Sequence, residues 1–126
     1  MNSNNEKQFS DCSKLTHVTM KAIYYVQYYC FQNCSQLIYV DMPNVKEIRK
    51  GAFEKCTSLN NITFPNVYII GSCSFLEDNS LTEIDLPSVN YIGKYAFYNC
   101  RKLKKIKFIN CIQIYDSAFQ FCTQLT

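Results

Sequence analysis

The sequence predicts a solenoid, in which short repeated units coil on top of one another around one continuous core. Two observations predict this fold. A Phe and a Leu each recur every 22 residues along the chain of 126 residues, and further apolar or small residues recur at fixed positions between them. A unit of 22 residues is too short to enclose a core of its own, so it buries its apolar side chains only against neighbouring units.

Each repeated position forms a column of equivalent residues, one from each unit. The phenylalanine column contains Phe9, Phe31, Phe53, Phe75, Phe97 and Phe119. The leucine column contains Leu15, Leu37, Leu59, Leu81, Leu103 and Leu125. The thiol column contains Cys12, Cys34, Cys56, Asp78, Cys100 and Cys122, with an aspartate in place of one cysteine. Two aliphatic columns contain Val18, Val40, Ile62, Ile84 and Ile106, and then Val26, Ile48, Ile70, Ile92 and Ile114. We expect all of these columns to point into the core.

The order of residues within one unit predicts its local structure. Ile84 and Leu86 alternate with polar neighbours, which is typical of a strand. Pro87 ends this strand, because proline has no N–H to donate to a sheet. Gly93 allows a corner, and the non-alternating segment from Lys94 to Cys100 is expected to form a short helical turn. Parallel strands of successive units would stack about 4.8 Å apart.

The length of the chain is sufficient for one domain. Residues 1–8 are polar and are expected to form a flexible N-terminal tail, and residues 9–126 hold five complete units and a partial one. The first unit has Lys21 and Ala22 where later units have Pro-Asn or Pro-Ser, which favours an atypical capping unit. No polar cap follows the last unit, so we hypothesise self-association of two chains through the uncapped solenoid ends.

The repeat resembles a known class of leucine-rich repeat. The pattern Leu-x-x-Ile-x-Leu-Pro-x-Val-x-x-Ile-Gly-x-x-Ala-Phe-x-x-Cys stands nearly intact from Leu81 to Cys100 and is similar to the BspA-like repeat. The 22-residue period and the Pro-Asn-Val segments at Pro43 and Pro65 look most like protist members. The resemblance, which covers about residues 9 to 126, implies a right-handed β/α coil stack with a parallel sheet on the concave face and short helical turns elsewhere. Family members are generally binding proteins, and surface-exposed bacterial members resemble adhesins.

The outward positions of the predicted strands are the best candidates for binding a protein partner, since solenoids use an extended concave sheet for recognition. These positions are His17, Thr19, Tyr39, Asp41, Asn61, Thr63, Glu83, Asp85, Lys105 and Lys107. Tyr39 is the candidate aromatic anchor, because Tyr is enriched at binding hot spots. The alternative is that the row only faces solvent.

The cysteines could bind zinc or carry redox chemistry, or they could be structural. No Cys-x-x-Cys occurs, and the closest pair is Cys30 and Cys34. Zinc needs ligands that converge from different directions, whereas a column does not converge. We therefore expect buried thiols that each bond a backbone group, with no metal and no cofactor. Disulfides between neighbouring coils remain open as an alternative.

Residues that could catalyse a reaction are few. His17 is the single histidine and lacks a Cys or Ser pattern around it, so a surface position is favoured over a role as a base. Glu83 and Asp85 could act as an acid–base pair, but an open sheet would not desolvate them. Phosphate-binding and nucleophile motifs are absent from the sequence. The sequence thus predicts that the protein is not an enzyme.

A basic cluster near the C-terminus consists of Arg101, Lys102, Lys104, Lys105 and Lys107. The net charge of the chain is only +3, and no aromatic residues interleave the cluster for base stacking. An acidic protein surface is therefore a better candidate partner than nucleic acid. The alternative is a solvated face without a partner.

The expected location and role follow from what the sequence lacks. The N-terminus has no apolar run or cleavage site of a signal peptide, and no stretch is long and apolar enough to insert into a membrane. We expect a cytoplasmic protein–protein interaction module, a scaffold or regulator with cytoskeletal or phosphatase partners by analogy with other leucine-rich-repeat proteins. The alternative is an adhesin for host or matrix proteins, at the cell surface or secreted without a signal peptide.

Overall fold

The computed structural model describes residues 6–60 and 62–126, which form a solenoid with parallel sheets. Residues 1–5 and Asn61 lie outside the described part. The described part contains ten short strands, two for each coil: β1 His17–Thr19, β2 Tyr25–Val26, β3 Tyr39–Asp41, β4 Glu47–Ile48, β5 Ile62–Thr63, β6 Ile69–Ile70, β7 Glu83–Asp85, β8 Tyr91–Ile92, β9 Lys105–Lys107 and β10 Gln113–Ile114.

The odd-numbered and even-numbered strands form two different sides of the coil. The even strands form one parallel sheet in the order β10-β8-β6-β4-β2. The odd strands form the parallel pair β1-β3 and the parallel sheet β5-β7-β9. Every strand pair joins residues 22 positions apart, such as Val18 with Val40 and Ile84 with Ile106. The period of the sequence is therefore the register of the sheets, and the predicted solenoid is confirmed.

The phenylalanine column forms the centre of the core. Phe31, Phe53, Phe75 and Phe97 are fully buried. Neighbouring rings of the column stack with centroids 5.1–5.4 Å apart and planes within 10° of parallel. Phe64 packs with a tilted ring against Phe53 and Phe75. Stacked aromatic pairs add stability beyond their buried area, so each coil is tied to its neighbours through this column.

The thiol column has the structural role that the sequence predicts. The Sγ atoms of Cys34, Cys56, Cys100 and Cys122 each donate to the carbonyl of the Phe that lies 25 residues earlier, at 3.0–3.1 Å. A thiol is a small apolar group with a weak donor, which suits a buried carbonyl of the preceding coil. All eight cysteines are free thiols in this structure.

The prediction of short helical turns is wrong, because the described residues contain no helix. In the segment from Lys94 to Cys100, the N–H groups of Ala96, Tyr98 and Cys100 bond carbonyls three residues back. The N–H groups between them donate to the next coil, as Phe97 does to the Ala118 carbonyl at 2.8 Å.

The backbone of this segment also excludes a helix. Tyr95 and Asn99, on either side of Phe97, have φ of 59° and 63°. This left-handed conformation cannot continue a right-handed helix. The same two positions are left-handed in each coil, including Gly51 and Lys55. Alternate N–H groups of the turn segment therefore donate to the next coil, whereas in a helix all of them would bond within the segment.

The first coil makes the same contacts with its neighbour as the later coils do. At the N-terminal side, the N–H of Lys7 donates to the Tyr28 carbonyl at 2.9 Å, in the same way as later turns bond their following coils. Asn44 donates to the Lys21 carbonyl at 2.6 Å, as Asn66 does to Pro43 at 2.7 Å. The first coil thus accepts the regular Asn bond although it lacks the proline. The boundary between tail and repeats at residue 9 stays a prediction.

Candidate functional site

The predicted binding residues lie on the outward side of the odd strands, which we call the strand face. In the three-residue strands the central residue, for example Val18 or Ile84, points inward, and its two neighbours point outward. The described members of the strand face are His17, Thr19, Tyr39, Asp41, Thr63, Glu83, Asp85, Lys105 and Lys107. All are exposed except Asp41, which is half-buried. Asn61, the remaining predicted binding residue, lies outside the described residues.

Strand pairing places members of the strand face beside one another. Thr19 pairs with Asp41 in β1 and β3. The ring of His17 lies over that of Tyr39, with centroids 6.0 Å apart. His17 Nδ1 also lies 3.1 Å from the Thr16 hydroxyl. This end of the strand face is therefore aromatic, and Tyr39, predicted to be the anchor, is about half exposed.

The other end of the strand face carries two pairs of opposite charges. Glu83 pairs with Lys105, and Asp85 pairs with Lys107, across β7 and β9. Within the described part of the chain, none of these four side chains comes within ion-pair distance of an opposite charge. They line a shallow depression of about 240 Å³ together with Thr63. The depression presents both acidic and basic side chains to a partner, and none of them is ion-paired within the described part of the chain.

Glu83 and Asp85, the two carboxylates that the sequence offered for acid–base chemistry, are exposed on an open sheet. Among residues 6–60 and 62–126, no group of three or more His, Cys, Asp and Glu side chains is placed to hold a metal ion. The same residues include no helix that is long and apolar enough to cross a bilayer.

The basic cluster is divided between two parts of the last full coil. Lys105 and Lys107 belong to β9 and therefore to the strand face. Arg101, Lys102 and Lys104 precede the strand and are also exposed. Arg101 donates to the side chain of Asn99 at 2.7 Å. The cluster thus adds positive charge to one end of the strand face.

A second exposed surface lies on the even strands, and the sequence did not indicate it as a binding site. We call it the tyrosine face, and its exposed tyrosines are Tyr24, Tyr25, Tyr28, Tyr68, Tyr91 and Tyr115. They do not form one column of the repeat, so the period gives no signal for them. The excess of tyrosine in the first unit is the signal that could have indicated this face. That unit was interpreted as an atypical cap instead.

Comparison with known proteins agrees with the repeat and its fold. A family model described as "BspA type Leucine rich repeat region" matches residues 2–126 in six copies. No curated protein shows significant sequence similarity to the chain. A solved leucine-rich-repeat protein of T. pallidum is 23% identical with a TM-score of 0.65, over 96% of this chain and 70% of that one.

A second solved structure, a leucine-rich-repeat protein from Bacteroides ovatus, is 27% identical with a TM-score of 0.67. The similarity covers 95% of this chain and 38% of that one, so the chain spans well under half of the Bacteroides protein. Six copies of the repeat over nearly the whole length show that the chain belongs to the BspA-type leucine-rich-repeat family.

Proposed function

We propose that the protein is a protein–protein interaction module that binds its partner through the strand face. The observation that carries this proposal is the set of adjacent, unpaired opposite charges on β7 and β9. Charges on a rigid sheet are held in a fixed pattern, and a partner with the reverse pattern gains steering and specificity from them. The aromatic pair of His17 and Tyr39 supplies apolar contact area at the other end.

The test is capture of the partner with charge-reversed variants of the strand face. Asp85→Lys and Lys105→Glu should each weaken capture at least about tenfold, since each places like charges against the partner. Lys55→Glu is the matched control, because Lys55 is exposed on the turn segment away from the strands. Equal binding by all three variants would rule out the strand face.

For the cellular role, we propose an intracellular scaffold or regulator, with cytoskeletal or phosphatase proteins as the class of partner. The contacts that Cys34, Cys56, Cys100 and Cys122 make as thiol donors to backbone carbonyls need reduced cysteines, which a compartment such as the cytoplasm would maintain. A thiol count on protein isolated from its own cells tests this location, and oxidised cysteines would contradict it. The second candidate is a surface adhesin, supported by the resemblance to surface-exposed family members. Antibody labelling of intact cells would then succeed without permeabilisation.

Self-association through the ends of the coil stack is part of the same proposal. The last coil exposes several apolar side chains, among them Ile109, Ile112 and Ile114, and Ile109 is 80% exposed. Contact between two copies would remove these side chains from water. Sedimentation of the chain over a range of concentrations tests this contact. Ile114→Lys should abolish the larger species, whereas Gln113→Lys, the exposed neighbour in β10, should not.

A further inference from the structure

The tyrosine face has a composition that differs from the rest of the surface. Its six tyrosines have 37–54% of their surface exposed. They lie in or beside the even strands, whose five members at about 4.8 Å spacing give a path of roughly 20 Å. Tyrosine supplies a large contact area at low cost in conformational entropy and is enriched at binding hot spots.

Cations are held against several of these rings. The Arg49 guanidinium lies 5.0 Å from the ring centroid of Tyr25 and 5.6 Å from that of Tyr28. The guanidinium also donates to the side chain of Gln27 at 2.6 Å and lies 3.6 Å from the Glu47 carboxylate. These contacts fix the arginine and order the rings before any partner arrives.

The positive charge of this face exceeds its negative charge. Lys46 lies 5.7 Å from the ring centroid of Tyr24, and Lys50 and Lys94 are exposed in the following coils. Within residues 6–60 and 62–126, none of the three lysines is ion-paired. The acidic residues of the face are Asp116 and Glu47, and Glu47 is already engaged by Arg49.

A groove of about 350 Å³ lies on the tyrosine face beside β6 and β8 and extends to Tyr115, which follows β10. Gly71 and Gly93 line it together with Ile69, Tyr91, Tyr115 and Lys94. The two glycines occupy a column that carries Arg49 before them and Tyr115 after them. Neither glycine can be replaced without backbone movement. A Cβ atom would lie 2.8 Å from the Ile48 carbonyl oxygen at Gly71 and 2.6 Å from the Ser72 nitrogen at Gly93.

We propose that the tyrosine face binds an extended acidic segment of a partner protein, with one apolar side chain of that segment in the groove. Lys46, Lys50 and Lys94, none of them ion-paired among the described residues, select acidic residues by charge complementarity. The groove has apolar surface from Ile69 and the two tyrosines next to the ammonium group of Lys94. It therefore accepts an aromatic or aliphatic side chain that is followed or preceded by a carboxylate. This site is separate from the strand face, because it lies on the other strands of each coil.

The experiment uses the 126-residue chain and a short synthetic peptide of Asp and Glu residues with one central Phe. Binding is followed by NMR, since the backbone amides of Gly71 and Gly93 lie on the floor of the groove. The expected result is saturable movement of these two amide signals. Lys94→Glu should weaken binding at least about tenfold. The matched control is Lys55→Glu, which changes the net charge equally on the turn segment, outside this face and outside the basic cluster.

Three results would overturn the proposal. The first is equal binding of a peptide with Lys in place of the acidic residues, and the second is equal binding by the Lys94→Glu and Lys55→Glu variants. The third is movement of strand-face signals without movement of the glycine signals. Asp85→Lys, which disables the proposed strand face, should leave peptide binding unchanged, so the two proposals fail separately.

Discussion

The Asp78 side chain accepts a hydrogen bond from the backbone N–H of Cys56 through Oδ1, at 2.8 Å. Asp78 occupies the thiol column and is fully buried. Its other oxygen, Oδ2, has no hydrogen-bond partner among the described residues. Burial raises the pKa of Asp78 well above its usual range, although the bond from Cys56 opposes this effect. The carboxyl is therefore retained in its neutral form where an exposed aspartate would be ionised.

We expect Asp78 to make the stability of the protein fall as the pH rises. The unfolded chain loses the Asp78 proton near its ordinary pKa of 3.8, whereas the folded chain keeps the proton to higher pH. The stabilisation that comes from protonated Asp78 is thus fully present below about pH 4. It is lost as the pH rises through the pKa that Asp78 has in the folded chain. Asp78→Cys should remove this loss and stabilise the protein by about 1–3 kcal/mol at neutral pH.

Urea unfolding of both proteins from pH 4 to pH 8 measures this effect as a difference in the free energy of unfolding. Subtracting the free energy of unfolding of the variant from that of the parent chain removes the contributions of all other titrating groups. Asp116→Asn is the control, because Asp116 is exposed. A difference between parent and Asp78→Cys that does not change with pH would contradict a neutral Asp78.

The second prediction concerns the phenylalanine column. Phe97→Ala should cost about 3–5 kcal/mol, because the ring is fully buried between Phe75 and Phe119 and its removal leaves a cavity. Phe121→Ala should cost less than about 1 kcal/mol, since that ring is half exposed. Thermal unfolding followed by circular dichroism measures both. Similar melting temperatures for the two variants would show that the stacked column is not the centre of stability.

The third prediction uses the left-handed turn positions. Lys55 has φ of 59°, a conformation that glycine adopts without the steric cost of a Cβ. Lys55→Gly should therefore stabilise the protein by about 0.5–1 kcal/mol. Lys50→Gly is the control: Lys50 is also exposed but is not left-handed, so the change should destabilise through backbone entropy alone. Chemical denaturation that gives both variants the same sign of change would disprove the conformational argument.

The fourth prediction is that the thiols differ in reactivity. Burial raises the pKa of Cys56 and raises that of Cys34 to about 11. Cys122 is only half-buried, whereas Cys56 is fully buried. Because the thiolate is the nucleophile, an alkylating reagent at pH 8 should label Cys122 before Cys56, which should stay unlabelled until the chain unfolds. Mass spectrometry of digests at successive times gives the order, and early labelling of Cys56 would contradict its burial.

The sequence was sufficient to predict the core and the sheet register, because inward residues must repeat when each coil rests on an equivalent coil. Phe53 and Leu59, for example, are fully buried as their columns indicate. The helical turn was mispredicted since the N–H of Phe97 bonds the following coil, and a pattern within one unit does not reveal such a partner.

For the candidate sites, the alternation of Glu83, Ile84 and Asp85 correctly predicted which side chains point outward. The tyrosine face could not be predicted in the same way. Outward side chains face solvent and do not have to fill a shared core, so their identities vary from unit to unit. The groove is lined by residues of three successive coils, including Gly71 and Gly93, so it exists only when the coils are stacked.

The uniform register of 22 residues also has a consequence for how such a chain can change in length. Each coil contacts only the coil before and the coil after it, so a duplicated segment of one full period enters the stack as a new layer without disturbing the others. An insertion of another length cannot form a coil in register and would have to leave the stack as a loop. Because the tyrosine groove and the charged strands lie on the same three coils, a layer added before β5 would leave both of them intact and at an unchanged distance from each other.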